Sequence, residues 1–293
     1  MRPASELARR WIVISVASFA CLGAGDARAG SVRSKGCSSP VTVVGTRDRR
    51  SDDAPMVRRL PFSVGANPRS IPGPDSLRLI DTDDAEHHPR VFIEDLRTGR
   101  RDDIVGTSAS RPCWSPDGRY IACVVYVSQE QPYQLAVIDR HSRRRIDIDA
   151  CLAVDEYRWS PNSRWIAVEG VERSTNRVGL SIYDLTRGRL RRLSTTPAFG
   201  SYGLSWSPDS RLLAFTEPSE VDEDETVLAA DLWVAATSSW SPCRVRTSPD
   251  EIESQPEWLT DSEVLVKTIP RTAPHSAGRD LVLELRPEGR RSP

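Results

Sequence analysis

Hydrophobic and polar positions along this chain follow a unit that recurs four times. In each unit an apolar segment ends at a tryptophan, a polar four-residue turn follows, and a second short apolar run begins. Proline presets φ at the second turn position, while serine and aspartate oxygens can bind nearby backbone groups. A short apolar run bounded by turn residues is typical of a strand buried on both faces. The pattern predicts four hairpins, at residues 113–122, 158–167, 204–216 and 257–266.

The hairpins recur at a nearly constant spacing. Their tryptophans lie 45, 47 and 52 residues apart and are Trp114, Trp159, Trp206 and Trp258. A fainter copy at residues 72–80 places Pro72 in the position of the tryptophan, 42 residues before Trp114. A period of about 40–50 residues is typical of propeller blades. Trp240 also begins a Trp-Ser-Pro sequence, but it falls off the period, so we do not count it as a repeat.

Two further segments follow each hairpin. Apolar third segments are expected at residues 91–95, 135–139, 180–184, 232–235 and 281–285. The fourth segments, such as residues 190–194, are arginine-rich and alternating, which suits an outermost strand because charge discourages edge-to-edge pairing. The sequence therefore predicts an all-β fold, a β-propeller of four-stranded blades. We expect five blades, with six as the alternative, and tryptophans that fill the space between blades.

The last unit reaches Pro293 without a fourth strand. We expect an N-terminal segment, either residues 60–64 or residues 41–45, to supply that strand and close the ring.

The start of the chain is typical of a secretory signal. Arg2, Arg9 and Arg10 precede an apolar segment at residues 11–22, and Ala27-Arg28-Ala29 offers a small-residue cleavage site. The apolar segment is shorter than the roughly 20 residues that a spanning helix needs. We expect cleavage to leave Gly30 as the mature N-terminus; an uncleaved anchor is the alternative.

The predicted organisation is a signal peptide at residues 1–29, a polar flexible lead-in at residues 30–59, and a propeller at residues 60–293. The protein is expected to be periplasmic or extracellular and monomeric. The formal net charge of −1 gives no indication of nucleic-acid binding, which requires a clustered basic excess.

The cysteines do not follow a metal or redox spacing. No two of the six are separated by two residues, which excludes a Cys-x-x-Cys zinc or thioredoxin motif. Counting from a turn at residues 115–118, Cys113 is expected to face Tyr120 and Cys123 to face Ser110. That register disfavours a disulfide between them, although an exported protein permits disulfides.

The repeat resembles a known family. The sequence Trp-Ser-Pro-Asp-Gly at residues 114–118, Ile-Tyr-Asp at residues 182–184 and Arg-Arg-Leu-Ser-Thr at residues 191–195 are similar to the WD-like β-propeller repeat of TolB-type proteins. The resemblance covers residues 68–285. It implies a propeller in the periplasm whose partner is a peptidoglycan-associated lipoprotein. TolB also carries an N-terminal α/β domain, for which residues 30–66 are too short and too polar.

The leading functional hypothesis is a non-enzymatic scaffold that binds a protein partner in the cell envelope. Loops that precede the first strand of each blade gather at one rim of the channel, and there aromatic and carboxylate side chains could bind a partner. The candidate residues are Asp155, Tyr157, Phe199, Tyr202, Glu253 and Gln255. Solvated loops with a packed tyrosine are the alternative at these positions.

Two other functional classes are open. A propeller enzyme, or a ligand-binding propeller with its ligand in the channel, would need convergent groups such as the four histidines, which are His87, His88, His141 and His275. No His-Glu-x-x-His or Gly-x-Ser-x-Gly motif is present. The acidic run at residues 220–225 could attract a cation, but it lacks the glycine turn of a calcium loop. We predict no metal and no cofactor.

Overall fold

The structure is a computed structural model. It describes residues 41–49, 69–82, 89–127, 133–149, 151–172, 178–195, 203–221, 227–246, 250–272 and 278–287. Within these residues, strands numbered β1 to β20 along the chain form five antiparallel four-stranded sheets. The predicted all-β propeller with five blades is confirmed.

Each sheet follows the chain order of one repeat. The first sheet contains β2 (Arg69–Pro72), β3 (Leu77–Thr82), β4 (Arg90–Asp95) and β5 (Arg101–Asp103). The second contains β6 (Ala109–Trp114), β7 (Tyr120–Val125), β8 (Gln134–Asp139) and β9 (Arg145–Ile148). The third contains β10 (Ala153–Trp159), β11 (Trp165–Val171), β12 (Val178–Asp184) and β13 (Arg189–Thr195). The fourth contains β14 (Leu204–Trp206), β15 (Leu212–Val221), β16 (Val227–Ala236) and β17 (Pro242–Arg246).

The fifth sheet combines both ends of the described chain. It contains β18 (Glu251–Trp258), β19 (Glu263–Pro270) and β20 (Arg279–Pro287), with β1 (Val41–Asp48) paired antiparallel to β20. Val41 is buried in one cluster with Leu285, so the pairing also buries apolar surface. Of the two segments expected to supply this strand, the one at the start of β1 does so, and residues 60–64 lie outside the described residues. Part of the segment predicted as a lead-in is thus a strand of the last sheet.

Hydrophobic clusters hold neighbouring sheets together. The cluster between the first and second sheets includes Leu79 and Ile121, and the corresponding clusters join the second to the third, the third to the fourth and the fourth to the fifth. The repeat tryptophans belong to these clusters, and Trp114 is the one that is only half-buried. Since burying one large apolar side chain contributes about 1.5–3 kcal/mol, packing between the sheets contributes substantially to the stability of the fold. The expected filling of the inter-blade space by tryptophan is confirmed.

Serine and aspartate, or asparagine in the third sheet, close the hairpin turns of the second, third and fourth sheets with side-chain hydrogen bonds. In the second sheet, Ser115 Oγ accepts from the Tyr120 backbone N–H at 2.8 Å and donates to Asp117 Oδ1 at 2.6 Å. Asp117 Oδ1 also accepts from the Arg119 N–H at 3.0 Å. The turns that begin at Ser160 and Ser207 repeat all three bonds. The local backbone bonding expected from Ser-Pro-Asp is confirmed.

The cysteine register expected from the sequence is wrong. Cys113 pairs with Ala122, because the turn closes at Ser115 and Tyr120 and a bulge follows Ser110 in β6. Cys113, Cys123 and Cys151 are free thiols. Burial raises the pKa of Cys113 to about 11 and that of the other two to about 12. These thiols therefore stay protonated and inert at neutral pH.

Candidate interaction surface

Four of the six residues predicted to form a binding rim are described, and they lie on the first strands of their sheets, which in a propeller line the channel. These strands are irregular: β6, β10 and β18 each contain a bulge, and two of the bulges hold a residue at positive φ, Arg111 at 53° and Gln255 at 54°. Bulges re-aim side chains and are common beside functional sites. Gln255 is exposed and Asp155 is half-buried, on the fifth and third sheets respectively. Phe199 and Tyr202 lie outside the described residues.

Tyr157 faces the interior. It is buried, and its hydroxyl donates to the carbonyl of Arg111 and, at 3.1 Å, to that of Ala122. Burial raises its pKa well above the ordinary range for tyrosine, so the hydroxyl remains a donor. Tyr157 thereby links the third sheet to the second and presents no side chain to a partner.

Arg111 completes this junction between three sheets, and it was not identified from the sequence as a functional or structural residue. Its backbone N–H donates to Asp81 Oδ2 of the first sheet at 2.9 Å. Its guanidinium donates to the carbonyls of Asp155 at 2.7 Å and Val154 at 2.5 Å on the third sheet. These contacts offset the cost of a positive φ, which for a non-glycine residue is on the order of 1–2 kcal/mol.

Glu253 is also inside the protein. It is fully buried, and its Oε2 accepts from the backbone N–H of Leu232 at 2.8 Å, which joins the fifth sheet to the fourth. Of the six rim candidates, Tyr157 and Glu253 therefore act in packing between sheets. Asp155 and Gln255 are the described candidates that are not buried.

The Ser-Pro-Asp turns share one face of the molecule and are bonded to one another. The backbone N–H of Asp117 donates to Ser163 Oγ at 2.9 Å, and that of Asn162 donates to Ser210 Oγ at 3.0 Å. The N–H of Asp209 donates to Asp261 Oδ1 at 2.9 Å. The third turn position of one sheet is thus held by the next sheet, from the second to the fifth. We call this surface, with the turns between third and fourth strands that lie beside it, the turn face.

Aspartates at the ends of the third strands cap the second set of turns. Asp139 accepts the backbone N–H groups of Ser142 at 3.0 Å and His141 at 2.9 Å, together with Arg119 Nε at 3.1 Å. These bonds hold its pKa at about 2. Asp184 and Asp95 cap the equivalent turns of the third and first sheets. For Asp184, burial would raise the pKa, but hydrogen bonds from Thr186 and Arg164 outweigh it and lower the pKa to about 2.

Acidic and basic groups on the turn face differ in exposure. The Asp139 side chain is 12% exposed and its partner Arg119 is 59% exposed; Asp184 is 13% exposed and Arg187 is 69% exposed. At these two pairs the carboxylates lie inward because they accept backbone N–H groups, while the long guanidinium side chains remain in solvent. The reverse holds at Asp75, which is 69% exposed while its partner Arg140 is 16% exposed. The turn face therefore presents exposed guanidinium groups together with some exposed carboxylates.

Trp240 lies outside the repeat, but it packs against two tryptophans that belong to the hairpins. It lies in the turn between β16 and β17 and packs edge-on against Trp165 and Trp206, with ring centroids 5.6 and 6.0 Å apart. Those two rings stack on each other at 6.0 Å. Exclusion of Trp240 from the repeat was correct, and its packing contributes to the interface between the third and fourth sheets.

The groups proposed for other functions are only partly described. His141 is exposed and its Nε2 accepts from Arg140 Nε at 3.0 Å; the other three histidines lie outside the described residues. Glu220 pairs with Arg271 Nη1 at 3.1 Å. Within the described ranges, no group of three or more His, Cys, Asp or Glu side chains is placed to hold a metal ion. The same ranges contain no helix with the length and apolar character needed to span a bilayer.

Comparisons with known proteins identify the fold class, a β-propeller. No protein-family model matches the chain, and no curated protein matches it. Among solved structures, the β-propeller domain of the Trilobed protease from Pyrococcus furiosus matches with a TM-score of 0.52 and 15% identity, over 76% of this chain and 69% of that one. The acylaminoacyl peptidase of Pyrococcus horikoshii matches with a TM-score of 0.50 and 15% identity, over 75% of this chain and 38% of that one.

TolB structures are also among the matches. TolB from Acinetobacter baumannii has a TM-score of 0.42 and 17% identity, over 74% of this chain and 55% of that one. This chain thus spans less than two thirds of that TolB and of the acylaminoacyl peptidase. The propeller fold that the TolB-type resemblance implies is confirmed. Because peptidases also match, the fold by itself does not separate a binding scaffold from an enzyme.

Proposed function

We propose that this protein is an exported, non-enzymatic scaffold that binds a protein partner in the cell envelope through the turn face. The observation that carries the proposal is the combination of rigidity and charge on that face. Its turns are capped by half-buried carboxylates and bonded from sheet to sheet, so the exposed guanidinium groups are attached to a preorganised backbone. Arginine is enriched at protein interfaces, and turns that are already ordered lose little backbone freedom on binding.

The proposed export rests on residues 1–29. The basic start, the apolar segment and the small residues before Gly30 support a cleaved signal. Expression of the full chain in a host with a periplasm, followed by mass measurement of the purified product, tests it. A product that begins at Gly30 supports export, and an intact N-terminus in the cytoplasmic fraction contradicts it.

Affinity capture tests the partner. A tagged chain that begins at Gly30 is crosslinked mildly in the envelope of the source organism, and a captured protein is then purified and mixed with it to test for a stoichiometric complex. A peptidoglycan-associated lipoprotein is the candidate partner that the TolB-type resemblance suggests. Reversing the charge of two exposed arginines on the turn face, Arg97→Glu with Arg187→Glu, is expected to abolish the complex.

The matched control reverses one exposed, ion-paired arginine at the opposite end of its sheet, Arg279→Glu at the start of β20. It is expected to leave the complex intact. A complex that survives the double reversal but is lost with Arg279→Glu would place the interface elsewhere. Failure to reconstitute any stoichiometric complex would contradict the scaffold function.

A further inference from the structure

The turn face contains a cleft between the first and second sheets that the proposed function does not yet use. Its volume is about 300 Å³. The buried Ile93 and the half-buried Leu77 form an apolar floor, and both belong to the cluster that joins the two sheets. The polar lining comes from two turns, with Asp95, Arg100 and Asp102 from the first sheet and Arg140, His141 and Arg143 from the second.

Guanidinium groups outnumber the carboxylates that could neutralise them at this cleft. Arg100 Nε and Arg143 Nη2 both contact Asp102, at 3.0 and 3.3 Å, one from each sheet. Asp95 is occupied in its own turn, where it accepts from the Arg97 N–H at 2.8 Å. Since a guanidinium carries five N–H donors, two of these groups on one carboxylate leave donors for a second anion.

The side chain of Arg140 is held in place at the edge of the cleft. Its Nη2 donates to Asp75 at 2.7 Å and its Nε donates to His141 Nε2 at 3.0 Å, so the side chain is held in one position. Its Nη1 is buried and, within the described part of the chain, has no hydrogen-bond partner. A buried N–H without an acceptor is costly, and a ligand oxygen that reached it would remove that cost.

We propose that this cleft binds a peptide carboxylate of the partner, with the adjacent apolar side chain seated on Leu77 and Ile93. A carboxylate matches the planar fork of arginine and accepts two parallel hydrogen bonds from it. The volume suits one side chain and its carboxylate, and the apolar floor selects against a purely polar anion. The inference rests on the proposed scaffold function and names the chemistry that the turn face recognises.

Fluorescence anisotropy tests the proposal. The probe is a fluorescein-labelled tetrapeptide, Gly-Gly-Gly-Leu, either with its free terminal carboxylate or as the terminal amide, titrated with the chain from Gly30 onward. We expect the acid to bind and the amide to bind at least about tenfold more weakly, as for loss of a charge-assisted bond. Arg143→Gln and Arg100→Gln are each expected to weaken binding of the acid by about tenfold.

Arg279→Gln is the matched control, because Arg279 is an exposed arginine at the opposite end of the fifth sheet and does not line the cleft. It is expected to change the affinity by less than about twofold, since the charge is screened over a distance of about 10 Å. Equal binding of acid and amide, an equal loss with Arg279→Gln, or no binding at millimolar protein would overturn the proposal. Displacement of the peptide by an equal concentration of inorganic phosphate would also overturn it, because it would reveal a general anion site.

The experiments distinguish failure of the cleft assignment from failure of the scaffold function. If the reconstituted complex of the capture experiment forms but the peptide does not bind, the cleft assignment fails and the scaffold function stands. If the peptide binds but no partner can be reconstituted, the scaffold function fails.

Discussion

At the scale of single residues, the structure assigns interior roles to side chains that the sequence suggested for a surface. Tyr157 and Glu253 precede or lie near repeat tryptophans, as loop residues at a rim would. Both are buried, and both accept or donate hydrogen bonds across a sheet boundary. The alternation of one strand indicates which positions are buried in its own sheet, but the bulges in β10 and β18 shift that alternation. A one-residue shift is enough to turn a side chain from solvent to the interior.

Tyr157→Phe tests the inter-sheet role of the hydroxyl. Its loss leaves the carbonyls of Arg111 and Ala122 without that donor in a buried site, and we expect a loss of about 1–3 kcal/mol in the free energy of unfolding. Urea denaturation measures it. Tyr126→Phe, at an exposed tyrosine, is the control and should change the free energy by less than about 0.5 kcal/mol. Equal effects of the two substitutions would contradict the assignment.

Asp139 gives a prediction on pH dependence. Its folded pKa of about 2 lies below the unfolded value of about 3.9, so the unfolded state binds more protons between those values. The stabilisation is therefore complete above pH 4 and is lost as the pH falls from about 4 to 2. Asp139→Asn is expected to give a flatter dependence of melting temperature on pH in that window.

Asp250→Asn, at an exposed aspartate, serves as the control for Asp139→Asn. The slope of the control should match that of the unmodified chain. A slope for Asp139→Asn that also matches would show that the carboxylate charge does not stabilise the turn.

At the scale of elements, the repeat unit determines its own hairpin. The apolar runs, the Ser-Pro-Asp turn and the aspartates that end three of the third strands are visible in the sequence, and the structure uses each of them locally. Bonds between turns of different sheets were not predictable in the same way. Asp117 and Ser163 are 46 residues apart, and only the stacking of sheets brings the N–H of one to the hydroxyl of the other.

Ser163 allows the bond between turns to be separated from backbone strain. Ser163→Ala removes the acceptor for the Asp117 N–H and keeps a side chain at a φ of 59°, so we expect a loss of about 1–2 kcal/mol. Ser163→Gly removes the same acceptor but relieves about 1 kcal/mol of strain, so its loss should be smaller. Urea denaturation compares them, with Ser238→Ala in an exposed turn as the control. A larger loss for Ser163→Gly than for Ser163→Ala would contradict this account.

At the scale of the whole molecule, the last sheet depends on a strand from the other end of the described chain. β1 pairs with β20 from Val41 to Asp48, and the ion pair between Arg47 and Glu263, at 3.1 Å, adds a side-chain contact within that sheet. Closure of the ring by this strand remains a prediction. Pairing two strands that are far apart along the chain costs conformational entropy, because a long loop must be closed. The free energy gained from buried apolar contacts must exceed that cost.

Two valines of β1 form a matched pair for testing this strand. Val41 is 2% exposed and packs with Leu285, whereas Val44 is 42% exposed. Val41→Asp is expected to lower the free energy of unfolding by more than about 3 kcal/mol, because it buries a charge without a partner. Val44→Asp should change it by less than about 1 kcal/mol. Calorimetry measures both, and similar melting temperatures for the two variants would show that β1 does not support the fold.

The sequence by itself determined the fold class, the blade period and the turn chemistry, because these depend on contacts within about fifty residues that every repeat makes again. It also predicted that the last repeat takes its fourth strand from elsewhere in the chain, since that repeat shows three strand patterns where the others show four. Only the tertiary structure decided which strand fills that place, which rim candidates are buried, and which arginines of two turns meet around Asp102 and Arg140. Those outcomes depend on bulges and on the stacking of separate sheets. Both bring together residues that are far apart along the chain, and the spacing of such residues in the sequence does not show that they are in contact.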